Sequence, residues 1–279
     1  DYKIPINELF GVFYPTKENS CNIKKGNGRI KKPDILPFPA HDLLKITAYN
    51  EPFLPKPFAL IQTARGCPFS CNFCVRSYGK KLGLRSPDNI IAELVFLKKT
   101  HQIKSFRVID DTFTATPQRI IEFCKKLIEQ NLNLTWSCLS RADTLSKEMI
   151  EWLALSGCKR IYIGFESGSK KILDAINKNI DLDLAKKNIL LLKQYKIEVS
   201  GFFMVGHPLE TESDFEQSLA FAIETRLDYI AACQFTCYPG TESFKKYEND
   251  INFTLIPNKN EFKDPELRKI SIKRVKAFY

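Results

Sequence analysis

The sequence predicts an α/β fold, a partial (β/α)6 barrel of TIM-like form with an extended segment before it and a short helical tail after it. Three observations predict this. From Phe58 onward, short apolar, β-branched runs alternate with longer segments of helical period, about six times over. Strands separated by helices pair in parallel through right-handed crossovers. About six βα units, rather than the eight of a complete ring, leave the barrel open or partial.

In chain order, the strands are FALIQTA (58 to 64), SFRVID (105 to 110), LTWSC (134 to 138), RIYIGF (160 to 165), EVSGFFMV (198 to 205) and YIAACQFT (229 to 236). Helices are expected between them. Pro87 to Lys99 opens on SPDN, Pro117 to Gln130 has Thr116 as its N-cap, and Ser146 to Leu155 closes at Gly157. Ser169 to Ile176, Leu182 to Gln194 and Ser213 to Thr225 complete the set. Residues 1–57 are proline-rich, carry turn chemistry at KKGNGRIKKPD, and are expected to be an extended linker or cap laid over the barrel. The expected division is therefore 1–57 linker, 58–245 barrel and 246–279 extension, the last ending in the helix ELRKISIKRVKAFY.

At 279 residues and 44% hydrophobic, the chain can bury a substantial core. No apolar run reaches the roughly 20 residues of a membrane-spanning helix, and DYKIPINELF lacks the pattern of a secretory signal. A cytoplasmic location is the expectation. Nine cysteines in no regular framework agree with a reducing compartment, which leaves thiolates available as metal ligands. The net charge of +10 falls on lysine pairs in separate helices, without a basic stripe interleaved with aromatics, so it marks no nucleic-acid site.

Residues 65 to 74 read RGCPFSCNFC. Cys67, Cys71 and Cys74 follow the first predicted strand, at the end of the strand where βα folds do their chemistry. A structural zinc wants four ligands, whereas the next cysteine here is Cys124 and the next histidine His101. Three thiols on a polar Pro, Ser and Asn loop do not read as core. The spacing CxxxCxxC suits a cubane iron–sulfur cluster, in which three thiolates bind three irons and one iron keeps no protein ligand. A zinc site and an inert trio stay open beside that reading.

CPFSCNFC, with Phe73 before its last cysteine, resembles the cluster loop of radical S-adenosylmethionine (radical SAM) enzymes. IDDTFT (109 to 114), WSCLSRAD (136 to 143), IGFESGS (163 to 169), FMVGHPLET (203 to 211) and CYPGTES (237 to 243) look like the strand-end motifs of the subgroup with a cobalamin-binding domain ahead of the barrel. The resemblance implies a [4Fe-4S] cluster on Cys67, Cys71 and Cys74. S-adenosylmethionine would chelate the open iron and be cleaved to a 5'-deoxyadenosyl radical that takes hydrogen from substrate.

It also implies roles at the strand ends. Phe73 would lie near the adenine, or pack the loop. Asp110 and Asp111 would accept from the cofactor's ammonium, or cap a helix before Thr112. Arg141 would offer its fork to the cofactor's carboxylate, or form a surface ion pair. Glu166 would bridge the ribose hydroxyls. Gly206, His207 and Pro208 would turn backbone groups to the adenine edge, with His207 reading better as a turn residue than as a base. Cys237 stands where proline is more usual; its thiol would face the substrate as a hydrogen donor, or pack in the core. Cys21, Cys124, Cys138, Cys158 and Cys233 read as core or incidental.

ELFGVFY (8 to 14) and ILPFPAHDLL (35 to 44) resemble the connector between the cobalamin domain and the barrel, and no DxHxxG-type cobalamin signature occurs. The resemblance implies a longer parent that binds cobalamin, of which this chain is a fragment unable to hold it alone. The expected partners are an organic small-molecule or peptide substrate and a reductase such as flavodoxin or ferredoxin. Rival readings are a methylthiotransferase acting on tRNA or ribosomal protein, and a zinc-stabilised basic binding module. Phe202, Phe203 and Phe235 are expected to line the barrel interior, which suits a non-charged organic substrate.

Overall fold

The computed structural model describes residues 13–15, 21–23, 30, 32–252 and 261–278. ELFGVFY and KKGNGRIKKPD lie mostly outside the described residues. Six strands, β1 (Phe58–Ile61), β2 (Ser105–Val108), β3 (Thr135–Ser140), β4 (Cys158–Glu166), β5 (Glu198–Val205) and β6 (Tyr229–Gln234), form one parallel sheet whose spatial order follows the chain. Each strand joins the same side of its predecessor, so the sheet curls one way into an arc. Among the described residues β1 and β6 do not pair, and the barrel stays open.

The crossovers carry helices α1 (Pro87–His101), α2 (Pro117–Glu129), α3 (Lys147–Leu155), α4 (Lys170–Ala175), α5 (Leu182–Gln194) and α6 (Glu212–Glu224). After β6 come α7 (Glu242–Tyr247) and α8 (Pro265–Ala277). Local chemistry fixes their starts. Ser86 and Ser146 cap α1 and α3 by accepting from Asn89 and Met149 N–H groups. Thr116 makes no side-chain cap, and α2 starts on Pro117, whose fixed φ suits the first helical position. Helix α6 begins one residue earlier than expected because Thr211 and Asp214 form a reciprocal capping box.

Successive side chains of a strand point to opposite faces, and this sorts the sheet. Phe106, Val108, Trp136, Cys138, Ile161, Ile163 and Phe165 face the helices and are fully buried. Phe106 stacks on Trp136 at 5.6 Å, and Phe123 meets both edge-on. The same parity corrects the expected lining. Phe203 faces outward against Phe165 and Phe221, because neighbours on a strand cannot both face in. Phe235 lies in a second apolar cluster with Leu173, Ile176, Cys237 and Tyr247. Phe202 faces the interior, stacked on Tyr162 at 5.9 Å, and Phe235 keeps the inward parity of Ala231 and Cys233 at the end of β6, with its N–H bonded to Val205 O at 2.8 Å.

The described segment before β1 runs in short 3-10 turns from the start of α1, where Asp34 accepts from Ser86 N–H at 2.9 Å, to the N-terminal end of the arc. His41 meets Glu93 of α1 at 2.8 Å, anchoring the segment to the outer layer. The Arg160 guanidinium then lies over the rings of Phe53, at 3.5 Å, and Tyr229, at 3.9 Å, which touch each other with centroids 4.8 Å apart. Glu51 accepts from Arg107 Nη2 and Tyr162 Oη, both at 3.1 Å. Among the described residues no helix is long and apolar enough to cross a membrane.

Candidate active site

Just after β1, Ala64–Arg65 pairs antiparallel with Gly83–Leu84, so residues 66–82 form a loop closed at its base. All three clustered cysteines lie on it, at the C-terminal mouth. The loop is fastened by groups other than the thiols. Asn72 donates its N–H to Ile176 O at 3.0 Å and its amide to Ala175 O at 2.7 Å, at the end of α4. Its carbonyl and side-chain oxygens accept from Ser243 N–H and Oγ at 3.0 and 2.8 Å, at the start of α7. Asn177 donates to Ser70 O at 2.8 Å.

Cys71 is buried, with Arg141 Nη1 at 3.9 Å from its sulfur, and Cys67 Sγ lies 3.5 Å from Thr112 Oγ1. Burial pushes the Cys71 thiol up, while Lys178 and Arg141 pull the other way. Burial, helped by the neighbouring charges of Cys71 and Cys67, pushes Cys74 up to about 11. Among the described residues, no three His, Cys, Asp or Glu side chains converge on a single point as one ion requires. A cubane takes each thiolate on a different iron, so its ligands need not converge. Three thiols sharing a space, with two cations beside the most buried, fit an anionic cluster better than one zinc ion.

The strand ends carry the other expected residues. Asp110 is fully taken up inside the protein: it accepts from Thr63 N–H at 2.6 Å, from the Thr63 hydroxyl, and from Ala64 N–H at 2.9 Å. Burial raises its carboxyl despite these bonds. Arg119 closes on the same turn from the other side, donating to Thr63 O at 2.8 Å. Asp111, in contrast, is exposed at the mouth. Arg141 binds Asp143 bidentately, at 2.9 and 2.7 Å, donates to Lys178 O at 2.9 Å, and lies over the Phe69 ring at 4.0 Å. Only Nη1 is directed at the cysteine loop.

Glu166 adopts a left-handed backbone, φ +68°, at a bulge in β4, and accepts from Lys178 Nζ at 2.8 Å. Such a conformation costs about 1–3 kcal/mol in a residue with a side chain. Its carboxylate folds back over Gly164, where an added Cβ would stand 2.3 Å from Glu166 Oε1 and would push the carboxylate aside. Gly206, at φ +81°, has its N–H already held by Glu210 Oε2 at 2.7 Å, and Glu210 forms a buried ion pair with Arg274 of α8, also at 2.7 Å. His207 is buried edge-on against Phe235 and Tyr247 and accepts from Leu209 N–H, a turn residue by its contacts. Phe73 packs against the second apolar cluster.

Cys237 is buried in that second cluster, where burial pushes its thiol up to about 11. Cys233, expected to be core or incidental, is instead exposed on the inward side of β6, which among the described residues is an edge strand. Lys178 escaped the sequence reading altogether. Its signal was the run NKN: Asn177 and Asn179 both take left-handed conformations, φ 52° and 41°, and turn the lysine between them inward. A cleft of about 730 Å³ outside α4, α5 and α6 takes in Asn179 but none of the cysteines, Asp111, Arg141, Glu166 or Lys178, and is a groove between helices.

The family model of the radical SAM superfamily matches residues 61–222, the span that contains the cysteine loop and the first five strand ends. The chain belongs to the radical SAM superfamily. Enzymes of this superfamily use a [4Fe-4S] cluster and S-adenosylmethionine, which sets aside the zinc-stabilised binding module. An uncharacterized methyltransferase of Pyrococcus horikoshii is 31% identical over 266 residues, covering 94% of this chain and 58% of that protein. The anaerobic magnesium-protoporphyrin IX monomethyl ester cyclase of Rubrivivax gelatinosus is 27% identical, covering 70% of this chain and 36% of the cyclase. The chain thus spans well under two thirds of the length of these curated relatives. Among solved structures, the cobalamin-dependent S-adenosylmethionine radical enzyme OxsB, with aqua-cobalamin and S-adenosylmethionine bound, matches with a TM-score of 0.73. It is 17% identical and covers 97% of this chain and 47% of OxsB, a likeness of fold.

Proposed function

We propose that this radical SAM barrel, residues 58–245, binds its [4Fe-4S] cluster through Cys67, Cys71 and Cys74 and serves a cobalamin-dependent whole protein that methylates or rearranges an organic substrate. The observation that carries the reading is the cysteine loop, held at the strand-end mouth by Asn72 and Asn177 with Arg141 and Lys178 beside Cys71. When bound, the cluster and S-adenosylmethionine supply reductive cleavage to a 5'-deoxyadenosyl radical that abstracts hydrogen. The chain's own residues position the parts. Arg141 and Lys178 offset the negative charge of the loop. Asp111 accepts from the ammonium of S-adenosylmethionine, because Asp110 is occupied by Thr63 and Ala64. Glu166, steadied by Lys178, accepts from ribose hydroxyls, and the turn from Gly206 to Pro208 borders the adenine. The methyltransferase and cobalamin components find support in the Pyrococcus relative's name and the OxsB-like fold. A reductase such as flavodoxin or ferredoxin is the proposed electron donor.

The test is anaerobic reconstitution with iron and sulfide, followed by reduction in the presence of S-adenosylmethionine. The expected result is a brown protein with about four irons per chain that releases 5'-deoxyadenosine, both lost in Cys71→Ala. An intact, reduced cluster that yields no 5'-deoxyadenosine overturns the reading. A thiomethylated RNA product from the whole protein would move the assignment to methylthio transfer.

A further inference from the structure

The inward strand positions form a wall of one chemical character. Leu60 of β1, Ile109 just beyond β2, Leu139 of β3, Phe202 of β5 and Ala231 of β6 alternate with the helix-facing core residues. Leu60 and Ile109 remain 45% and 41% exposed, although they lie inside the arc. Phe202 and Tyr162 stand nearly parallel, 13° apart, and present flat surface. Open apolar surface gathered within a concave face marks a ligand wall.

Four charged side chains share the inward positions, and each is cancelled: Arg107 by Glu51 at 3.1 Å, Arg160 and Glu198 by each other at 2.9 Å, and Glu166 by Lys178 at 2.8 Å. The Arg107 pair differs from the others, because Glu51 comes from the segment before the barrel. Arg107 lies over the Tyr162 ring at 4.2 Å, and its Nε is buried without a partner. Ser137, its register partner across β2 and β3, is 1% exposed, and its hydroxyl is also without a partner. Without Glu51, this floor would be a guanidinium beside a free hydroxyl, which is the chemistry of an anion site.

We propose that the lumen receives a neutral, largely apolar, ring-sized group of the substrate, and that Glu51 sets this preference by cancelling Arg107 at the floor. The proposal rests on the radical SAM reading for the route of entry, from the strand-end mouth, and on the wall and floor for the chemistry of the ligand.

The probes are two pyrenes of equal ring size, neutral pyrenemethanol and anionic pyrenebutyrate, titrated by fluorescence into the full chain reconstituted anaerobically. The native chain is expected to bind pyrenemethanol at least ten-fold more tightly. Glu51→Gln, which frees Arg107, is expected to shift that ratio at least ten-fold toward pyrenebutyrate, and the double variant Glu51→Gln/Arg107→Gln to restore it. Ile109→Lys places a cation on a wall position already open to solvent and should shift the ratio the same way. Saturable binding of neither pyrene, equal binding of both by the native chain, or a ratio unmoved in Glu51→Gln and Ile109→Lys proteins of native circular dichroism overturns the proposal. Release of 5'-deoxyadenosine by the native chain is measured separately; its absence overturns the radical reading and leaves the probe ratios to decide the lumen.

Discussion

Asp110 accepts from Thr63 N–H at 2.6 Å and Ala64 N–H at 2.9 Å, whereas Asp111, one residue on, is exposed at the mouth. Asp110→Asn replaces an acceptor with a donor opposite buried donors and should lower stability by about 1–3 kcal/mol. Asp111→Asn should stay within about 0.5 kcal/mol in stability and weaken S-adenosylmethionine binding. Chemical denaturation of the two variants, with cofactor titration, checks the split; equal loss of stability in both would abolish it, and loss in Asp111→Asn alone would reverse it. Sequence alone could not separate the two, because a strand end gives no parity until its register is fixed. Lys178 makes the same point at longer range, since it meets Glu166 across a turn that reads as ordinary loop. Lys178→Ala leaves a nearly buried carboxylate unpaired and should cost about 3 kcal/mol, most of it recovered in Lys178→Ala/Glu166→Gln by double-mutant comparison of unfolding midpoints.

Asn72 ties three loops together, those after β1, β4 and β6, through bonds to Ala175, Ile176 and Ser243. The cysteine loop is therefore shaped before any cluster is present, which lowers the ordering entropy that cluster binding must overcome. Asn72→Ala is expected to reduce iron incorporation several-fold on reconstitution. In hydrogen exchange it should loosen residues 66–82 and the start of α7 together; loosening of residues 66–82 alone would separate the loops. All six strands and the crossover helices were legible in the sequence, because β-branched bursts and capped, periodic segments alternate from Phe58 onward. The Ala64–Arg65 ladder was not, since two residues carry no period. The exposed side of β6 was also hidden. Its run YIAACQFT reads as a buried strand, and only the open edge beyond it leaves Cys233 facing solvent.

At the scale of the whole molecule, acid stability follows from His207. Burial, with Lys246 and Lys171 nearby, lowers its pKa to about 4 from an ordinary 6.5. Between these values the unfolded chain takes up a proton that the folded chain refuses. This contribution is complete above about pH 6.5 and is lost as pH falls to about 4, by up to roughly 3 kcal/mol. His207→Gln should flatten that slope in urea unfolding measured at several pH values, and an unchanged slope would exclude His207 as its source. The Asp214 carboxyl, pushed up by burial but brought well below the usual range by hydrogen bonds from Lys171, Ser169 and Thr211, adds a loss only in stronger acid. The unpaired edges of β1 and β6 bear on a different property. In a closed ring, strand number and stagger fix the diameter. An arc has no such constraint: its two ends can part without breaking a single ladder bond. The bore of this barrel is thus set by the stiffness of the sheet and by what bridges the gap, of which the Asn72–Ser243 bonds at the mouth are one part.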